Sequence, residues 1–379
     1  MFLAACSPKK ESNSHLVLHW EALADRIVKQ GQISQTDRVI MLASPGDFDP
    51  LIDVLATKIK DAGATYVGTV SVDSLNWPES WKTDTIRAIM NKPDFKSNML
   101  LDKVTLGIML PGATPAHTLY AMLQDALRQG AGRTIHFHWT GAFDTSSNPI
   151  PLTPAMHEVY EKAVLETDYE SLAAIQADFE HDLRKGEVTI KTPEGTDLKF
   201  SVNDRPVTRQ DGDASFDRTL QARNLIDREV EIPAGAVRVA PIESTVNGVI
   251  RFPDGNWGGT RVKGLKITIK DGLASEITAN EGLDSVKAIM SRFYNNRFFF
   301  REIAVGFNPL LKAPNDGSWI PYYGYGSGVL RISVGDNEEL GGGVRGDFVR
   351  ICFITNATVA AGGTIWVKNG ELGQGAGER

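Results

Sequence analysis

The stretch RVIMLASPGDFDPLIDVLATKIKDAGATYVGTVSV, residues 38–72, decides the fold class of the first half of this 379-residue chain. It begins and ends in short apolar runs rich in β-branched residues, which are typical of buried strands. Between these runs Leu51, Leu55 and Ile59 recur at the spacing of one helix face. A strand, a helix and a second strand in this order predict a βαβ unit and a mostly parallel sheet.

The same alternation continues in KVTLGIML (103–110), TPAHTLYAMLQDALRQGAG (114–132) and RTIHFHW (133–139), and residues 151–185 have a helical pattern throughout. After residue 185 the pattern changes to short strands separated by turn signals, and Asp271-Gly272 predicts a hairpin. We therefore predict an α/β fold in which a Rossmann-like N-terminal domain, residues 21–185, is followed by a mixed, strand-rich C-terminal domain, residues 186–379.

Composition narrows the class of protein. The apolar fraction is 42% and the charged fraction 23%, which are values of a globular protein. A formal net charge of −7 argues against nucleic acid as a partner. Two cysteines, Cys6 and Cys352, supply neither a disulfide framework nor a thiolate metal cluster.

The first 20 residues are interpreted as a signal remnant and tether. Leu3-Ala4-Ala5-Cys6 precedes a polar stretch and resembles the processing box of bacterial lipoproteins. We expect a lipid anchor at Cys6 that places the protein at the periplasmic or cell surface. The alternative is an incidental cysteine in an ordinary N-terminus of a cytoplasmic protein.

Three acidic residues of the C-terminal half lie beside tight turns and apolar strands. They are Glu243 in VAPIESTVNGVI, Glu302 in FREIAVGFNPLL and Asp347 in RGDFVRICF. A single carboxylate in such a place is usually solvated or caps a turn. The order and surroundings of all three together indicate a site.

These segments carry a family resemblance. VTIKTPEGTDLKFSV (188–202), IPAGAVRVAPIESTVNGVI (232–250), EIAVGFNP (302–309) and GVLRISVGDNEELGGGVRGDFV (328–349) resemble the thermophilic metalloaminopeptidases, the aminopeptidase T family, over about residues 155–372. The resemblance implies that the C-terminal domain has the fold of that family. It also implies a homodimeric two-metal peptidase that removes N-terminal residues from peptides.

Carried over from that family, the metal-binding carboxylates fall on Glu243, Glu302 and Asp347, whereas arginines, Arg331 and Arg345, stand at the two histidine positions. A guanidinium has five donors and no lone pair to offer, so it cannot replace imidazole as a ligand. We hypothesise that both arginines replace the metal ions as fixed counter-charges and that these five residues form the catalytic site. Arg345 would then pair with one of the three carboxylates.

The function predicted from these residues is a divergent hydrolase that acts on peptides or small amide-like molecules. Its cofactor stays unknown: either none, or one divalent metal ion held by the three carboxylates. The alternative is a metal-free enzyme or a binding protein for an anionic small molecule. An iron-dependent ring-cleaving dioxygenase is disfavoured, because such sites need two histidines and a carboxylate, and no histidine follows His181.

Two further groups are candidates. His136 and His138 are two residues apart in a predicted strand and share one face, so they could be a pair of metal ligands or packed histidines. Tyr322, Tyr323 and Tyr325 lie among glycines and could contact a substrate, or form a packed turn.

Overall fold

A computed structural model describes residues 16–373 except 74, 91–103, 131, 225, 292–299 and 347. The fold is mixed α/β, with one parallel sheet and several antiparallel sheets. The elements of the first half are α1 Trp20–Gly31, β1 Arg38–Ala43, α2 Asp49–Asp61, β2 Thr65–Ser71, α3 Asp84–Met90, β3 Leu106–Met109, α4 Thr118–Gln129, β4 Arg133–His136, α5 Pro154–Glu166 and α6 Tyr169–Lys185.

The second half is strand-rich. Its elements are β5 Glu187–Lys191, β6 Asp197–Ser201, β7 Val207–Arg209, α7 Phe216–Gln221, β8 Glu229–Glu231, β9 Ala236–Val239, β10 Asn247–Arg251, β11 Gly255–Trp257, β12 Thr260–Val262, β13 Lys266–Lys270, β14 Leu273–Thr278, α8 Leu283–Met290, β15 Phe300–Gly306, β16 Leu330–Gly335, β17 Val349–Ile354, β18 Thr358–Ala361, β19 Thr364–Lys368 and β20 Glu371–Leu372.

The parallel sheet has the strand order β2-β1-β3-β4-β8, which confirms the parallel sheet expected from the alternating pattern. Its last strand, β8, follows the predicted boundary at residue 185, yet it pairs in parallel with β4. In that register His136 lies opposite Glu231. The parallel sheet therefore carries residues from both halves of the chain.

Antiparallel pairing builds the remaining sheets. One sheet of eight strands has the order β14-β13-β10-β6-β5-β18-β19-β20, and one of five strands has the order β17-β16-β15-β9-β7. The predicted hairpin at Asp271-Gly272 joins β13 to β14, and the positive φ angles of 50° and 77° explain why Asp and Gly stand there. Strands β9, β15 and β16 carry the buried charges described below.

The helical segment 151–185 is two helices and not one. Thr153 caps α5, as its side chain accepts from the backbone of Met156. The first helix ends at Glu166, and Asp168 caps the start of the second, because its side chain accepts a 3.1 Å hydrogen bond from the Ser171 amide. None of the helices within the described residues is long and apolar enough to cross a membrane.

Candidate active site

A cavity of about 620 Å³ lies between the carboxyl end of the parallel sheet and one face of β9, β15 and β16. Ligands of open α/β sheets bind in this kind of crevice, beyond the carboxyl ends of the strands. The charged and histidine side chains that line it are His136, His138, Glu229, Glu231, Arg238, Arg301, Glu302, Arg331 and Glu339. Seven of these nine side chains, all but Glu229 and Glu339, form two groups, one on each wall.

The first group is an arginine cluster, which we define as Arg238, Arg301 and Arg331 around Glu302. The side chain of Glu302 is 2% exposed. Its Oε2 accepts from Nε of Arg238 at 3.0 Å, and its Oε1 accepts from Nη2 of Arg331 at 3.1 Å. The Ser333 hydroxyl donates to Oε1 at 3.0 Å. A buried carboxylate is thus shared by two permanent positive charges.

Strand register explains why these residues meet. Arg238 on β9 and Arg331 on β16 both lie opposite Ala304 of β15, and Glu302 is two residues from Ala304. Cross-strand partners share a face, as do residues two apart in a strand. Because Ala304 has only a methyl group, it leaves room for the two guanidinium groups to reach Glu302.

The charges in this cluster reinforce one another. Burial opposes ionisation of Glu302, but the surrounding guanidinium groups outweigh burial and hold its pKa well below the usual range. Burial also disfavours the charged form of Arg238, yet Glu302 raises the pKa of that guanidinium further. Glu302 and Arg238 are therefore both ionised at neutral pH.

Arg238 offers donors that the fold does not use. Among the described residues its hydrogen bond to Glu302 comes from Nε, and no described residue accepts from its two Nη groups. Its side chain lines the cavity and is 13% exposed. By contrast, Arg301 is tied to the carbonyl of Asp336 and to Glu339. Both Nη groups of Arg238 therefore have donors that are open to a ligand.

The second group is a His–His–Glu group, which we define as His136, His138 and Glu231. One ligand atom from each residue lies within 4.8 Å of the other two. Nδ1 of His136 is 3.5 Å from Oε1 of Glu231. Burial lowers the pKa of His138 to about 4, so this imidazole is neutral at pH 7. Burial opposes ionisation of Glu231, but the neighbouring His136 lowers its pKa.

The three tyrosines have different environments. Tyr323 and Tyr325 line the cavity, as the sequence hypothesis of a substrate-facing loop requires. Tyr322 does not fit that hypothesis, because it is fully buried and its hydroxyl donates to Glu231 at 2.9 Å. Tyr322 and Tyr323 have positive φ angles of 31° and 53° in one tight loop. Within it the Tyr322 side chain is buried and the Tyr323 side chain lines the cavity.

Two other expected site residues, Glu243 and Arg345, do not line the cavity. Glu243 is held by Nη2 of Arg205 at 2.6 Å and is not among the residues lining the cavity. Of the two expected carboxylates within the described residues, Glu243 and Glu302, Arg345 pairs with neither. Its Nη2 donates to Glu338 at 2.6 Å on the surface, where the Arg345 side chain is 71% exposed. Asp347 lies outside the described residues.

Arg345 and Arg331 have different environments for a physical reason. Arg345 follows a glycine-rich turn at the surface, where its ion pair with Glu338 stays in water and neither charge has to lose its hydration. Arg331 instead lies in a central strand, where Glu302, the Tyr323 carbonyl and the Tyr325 ring together compensate its burial. The two arginines resemble each other in sequence and differ in environment.

Three functional candidates escaped the sequence interpretation: Arg238, Arg301 and Glu231. Arg238 left a signal, because it is a charged residue within the apolar strand sequence AVRVA. Glu231 left none, since a charge at the end of a three-residue strand does not reveal the histidines it will contact.

No family model matches the chain, and no curated protein sequence matches it. Solved structures do. 2,5-dihydroxypyridine dioxygenase from Pseudomonas putida KT2440 aligns with a TM-score of 0.61 and 14% identity, over 94% of this chain and 97% of the other. Wild-type AmpT from Thermus thermophilus aligns with a TM-score of 0.59 and 15% identity, over 93% and 98%.

At these identities the similarity shows the fold alone. The chain has a distant fold relationship to AmpT, an aminopeptidase T. The same fold carries a dioxygenase in one of these structures and AmpT in the other, so chemistry has to be argued from the site.

Proposed function

We propose that this chain binds a small anionic molecule, a carboxylate or a phosphate ester, in the cavity through the arginine cluster. The observation that carries the proposal is the buried Glu302, shared by Arg238 and Arg331 in the cavity wall. In this proposal guanidinium groups provide the positive charge that metal ions provide in the metalloaminopeptidases that the sequence resembles.

The donor set around Glu302 does not fit a metal ion. Two guanidinium groups within about 3 Å of the carboxylate already exceed its negative charge. A dication brought there would be repelled by both, and a guanidinium offers no lone pair. The proposed function therefore includes no dinuclear metal centre at Glu302.

The unpaired donors of Arg238 favour an anion. A partly buried guanidinium with unused N–H groups is poorly solvated, and an anion that accepts from it restores the missing hydrogen bonds. Carboxylates and phosphates match the guanidinium fork bidentately. Tyr323 and Tyr325 add aromatic faces to the same cavity, which suits a small organic anion.

Titration calorimetry with inorganic phosphate and with succinate tests the proposal. We expect Arg238→Met to weaken binding of the anion at least tenfold, since a charge-assisted bidentate contact is lost. Arg238→Lys keeps the charge and loses the fork, so several-fold weakening is expected. The matched control is Arg345→Met, which removes an exposed guanidinium and leaves the affinity within twofold.

The proposal fails if neither anion binds the wild-type chain. It also fails if Arg345→Met weakens binding as much as Arg238→Met, because the effect would then come from net charge and not from the cavity. Circular dichroism of each variant establishes that the fold is retained before the affinities are compared.

A hydrolase of peptides or small amide-like molecules is the second candidate. The fold shared with AmpT favours it, and so does the His–His–Glu group in the same cavity. Release of p-nitroaniline from leucine p-nitroanilide measures this activity, and no release with any added divalent metal would exclude it for this substrate class. A ring-cleaving dioxygenase stays disfavoured for a site at Glu302, because Arg331 stands at the position where the resembled family has a metal-binding histidine.

The proposal also includes a homodimer, on the resemblance alone, and a bacterial lipid anchor at Cys6, which lies outside the described residues. Light scattering should give twice the mass of one chain. Labelled palmitate should be incorporated by bacterial cells and lost in Cys6→Ser. A monomeric mass would remove the dimer, and an unlabelled protein would remove the anchor.

A further inference from the structure

We infer that the His–His–Glu group binds one divalent transition-metal ion, on the cavity wall opposite the arginine cluster. This site goes beyond the proposed anion site and does not depend on it. The sequence interpretation treated His136 and His138 as an isolated pair. The fold adds the carboxylate, because β8 brings Glu231 into register with His136.

The distances suit a mononuclear site. The ligand atoms of His136, His138 and Glu231 lie within 4.8 Å of one another, and Nδ1 of His136 is 3.5 Å from Oε1 of Glu231. Two donors at about 2.1 Å from a tetrahedral ion are about 3.4 Å apart. The His136–Glu231 edge therefore already has the length that a bound ion requires, and a small rotation of His138 would complete the set.

Outer hydrogen bonds hold each of the three side chains. Nε2 of His136 is 3.0 Å from the Thr134 hydroxyl, and Nε2 of His138 is 3.1 Å from the Tyr120 hydroxyl. Oε2 of Glu231 accepts from the Tyr322 hydroxyl at 2.9 Å. Metal ligands are commonly oriented by such partners, which fix the ring and leave the inner atom for the ion.

The chemistry of the ligands points to the class of metal. Two imidazoles and one carboxylate suit Zn²⁺, Fe²⁺ or Co²⁺ better than Mg²⁺ or Ca²⁺, which prefer oxygen ligands. Three protein ligands leave at least one position for water or a ligand, as catalytic sites require. All three side chains line the cavity, so that open position faces the space bounded by the arginine cluster.

An ordinary buried ion pair of His136 with Glu231 is the competing explanation. It accounts for the 3.5 Å contact but gives no role to His138 and no affinity for metal. Loading with Co²⁺ separates the two explanations, because cobalt bound by nitrogen and oxygen ligands absorbs visible light.

The experiment uses the full chain, stripped with chelator and titrated with Co²⁺, and follows visible absorption and cobalt content. We expect one equivalent of cobalt in the wild-type chain. His138→Gln and Glu231→Gln should each weaken binding at least a hundredfold. Thr134→Val, which keeps all three ligands, should weaken binding about tenfold through the lost outer hydrogen bond. His181→Gln removes an exposed histidine of α6 and is the matched control.

The inference is overturned if the wild-type chain takes up no cobalt, or if His138→Gln and Glu231→Gln bind it as the wild type does. Glu302→Gln distinguishes the two proposals. Cobalt kept in this variant, together with absent phosphate binding in the wild type, would remove the anion site alone. Cobalt lost in Glu302→Gln but kept in His138→Gln would move the metal to Glu302 and contradict both proposals.

Discussion

At the residue scale, the account rests on Glu302. Its carboxylate is buried, and two guanidinium groups share its oxygens. Burying charges requires mutual compensation, and the loss of one partner leaves the others uncompensated. The pairing of Glu302 with Arg238 and Arg331, which is part of the proposed anion site, therefore also makes Glu302 important for stability.

Replacement of Glu302 by glutamine should lower the free energy of unfolding by about 3 kcal/mol, since Arg238 and Arg331 would stay buried without their counter-charge. Urea denaturation at neutral pH measures the change. The control is Glu338→Gln, which breaks the exposed pair with Arg345 and should cost less than about 1 kcal/mol. Equal effects of the two variants would show that the Glu302 cluster is not the compensated buried site described here.

The sequence could not distinguish the environments of Arg331 and Arg345. It could assign Arg331 to a strand of apolar neighbours, and the structure pairs this residue with Glu302. It could not separate Arg345 from Arg331, because both are arginines at mapped histidine positions. What separates them is burial, which depends on strand order across the sheet and not on the local motif.

At the element scale, β4 is fixed at its start by a buried ion pair. Nη1 of Arg133 donates to Oδ1 of Asp37 at 2.8 Å, and Nη2 donates to Oδ2 at 3.2 Å. Nη2 also donates to the Gly31 carbonyl at the end of α1. This pair fixes the start of β4, the strand whose last residue, His136, lines the cavity.

Asp37→Asn should destabilise the fold by about 3 kcal/mol at pH 7, and the difference from wild type should shrink in acid. Burial opposes ionisation of Asp37, but Arg133 holds its pKa below the ordinary value of 3.8. A carboxyl group with a lowered folded-state pKa stabilises the fold above its unfolded pKa and loses this contribution as pH falls through the folded value.

Urea denaturation of wild type and Asp37→Asn at several pH values measures this difference. It should be constant from about pH 7 to pH 5 and decrease below about pH 4. Asp61→Asn, at an exposed position of α2, is the control and should show no such dependence. A difference that grows toward acid pH would contradict the assignment.

The loop with the three tyrosines depends on close backbone packing at Gly326. A Cβ atom at this residue would overlap the carbonyl group of Leu311. We expect Gly326→Ala to lower the free energy of unfolding by about 2 kcal/mol through overpacking. Gly186→Ala is the control, because a Cβ there meets nothing within 4 Å and its φ of 174° is extended. Thermal unfolding of both variants compares them, and equal melting temperatures would refute the packing argument.

The strands and helices were more predictable from the sequence than the pairing of one strand with another. Periodic apolar residues predicted the alternation of strands and helices, and Asp271-Gly272 predicted its hairpin, because local chemistry determines both. The pairing of β8 with β4 was not predictable, since the two strands are separated by more than ninety residues and β8 has three residues. That pairing is what completes the His–His–Glu group.

At the scale of the whole molecule, the cavity belongs to both halves of the chain. One wall comes from β4 and β8 of the parallel sheet, and the other from β9, β15 and β16. No histidine follows His181 in the sequence. The fold nevertheless brings His136 and His138 from the first half of the chain to the cavity. Candidate ligands for a metal therefore lie outside the segments that carry the family resemblance.

X-ray diffraction from crystals soaked first in Zn²⁺ and then in phosphate tests the central claim most directly, because the anomalous map locates the metal and the electron density locates the anion. The account predicts a zinc peak beside His136, His138 and Glu231, phosphate at Arg238, and no zinc at Glu302. A zinc peak on Glu302, with Arg238 and Arg331 turned away from it, would contradict the claim that guanidinium groups have replaced the metal.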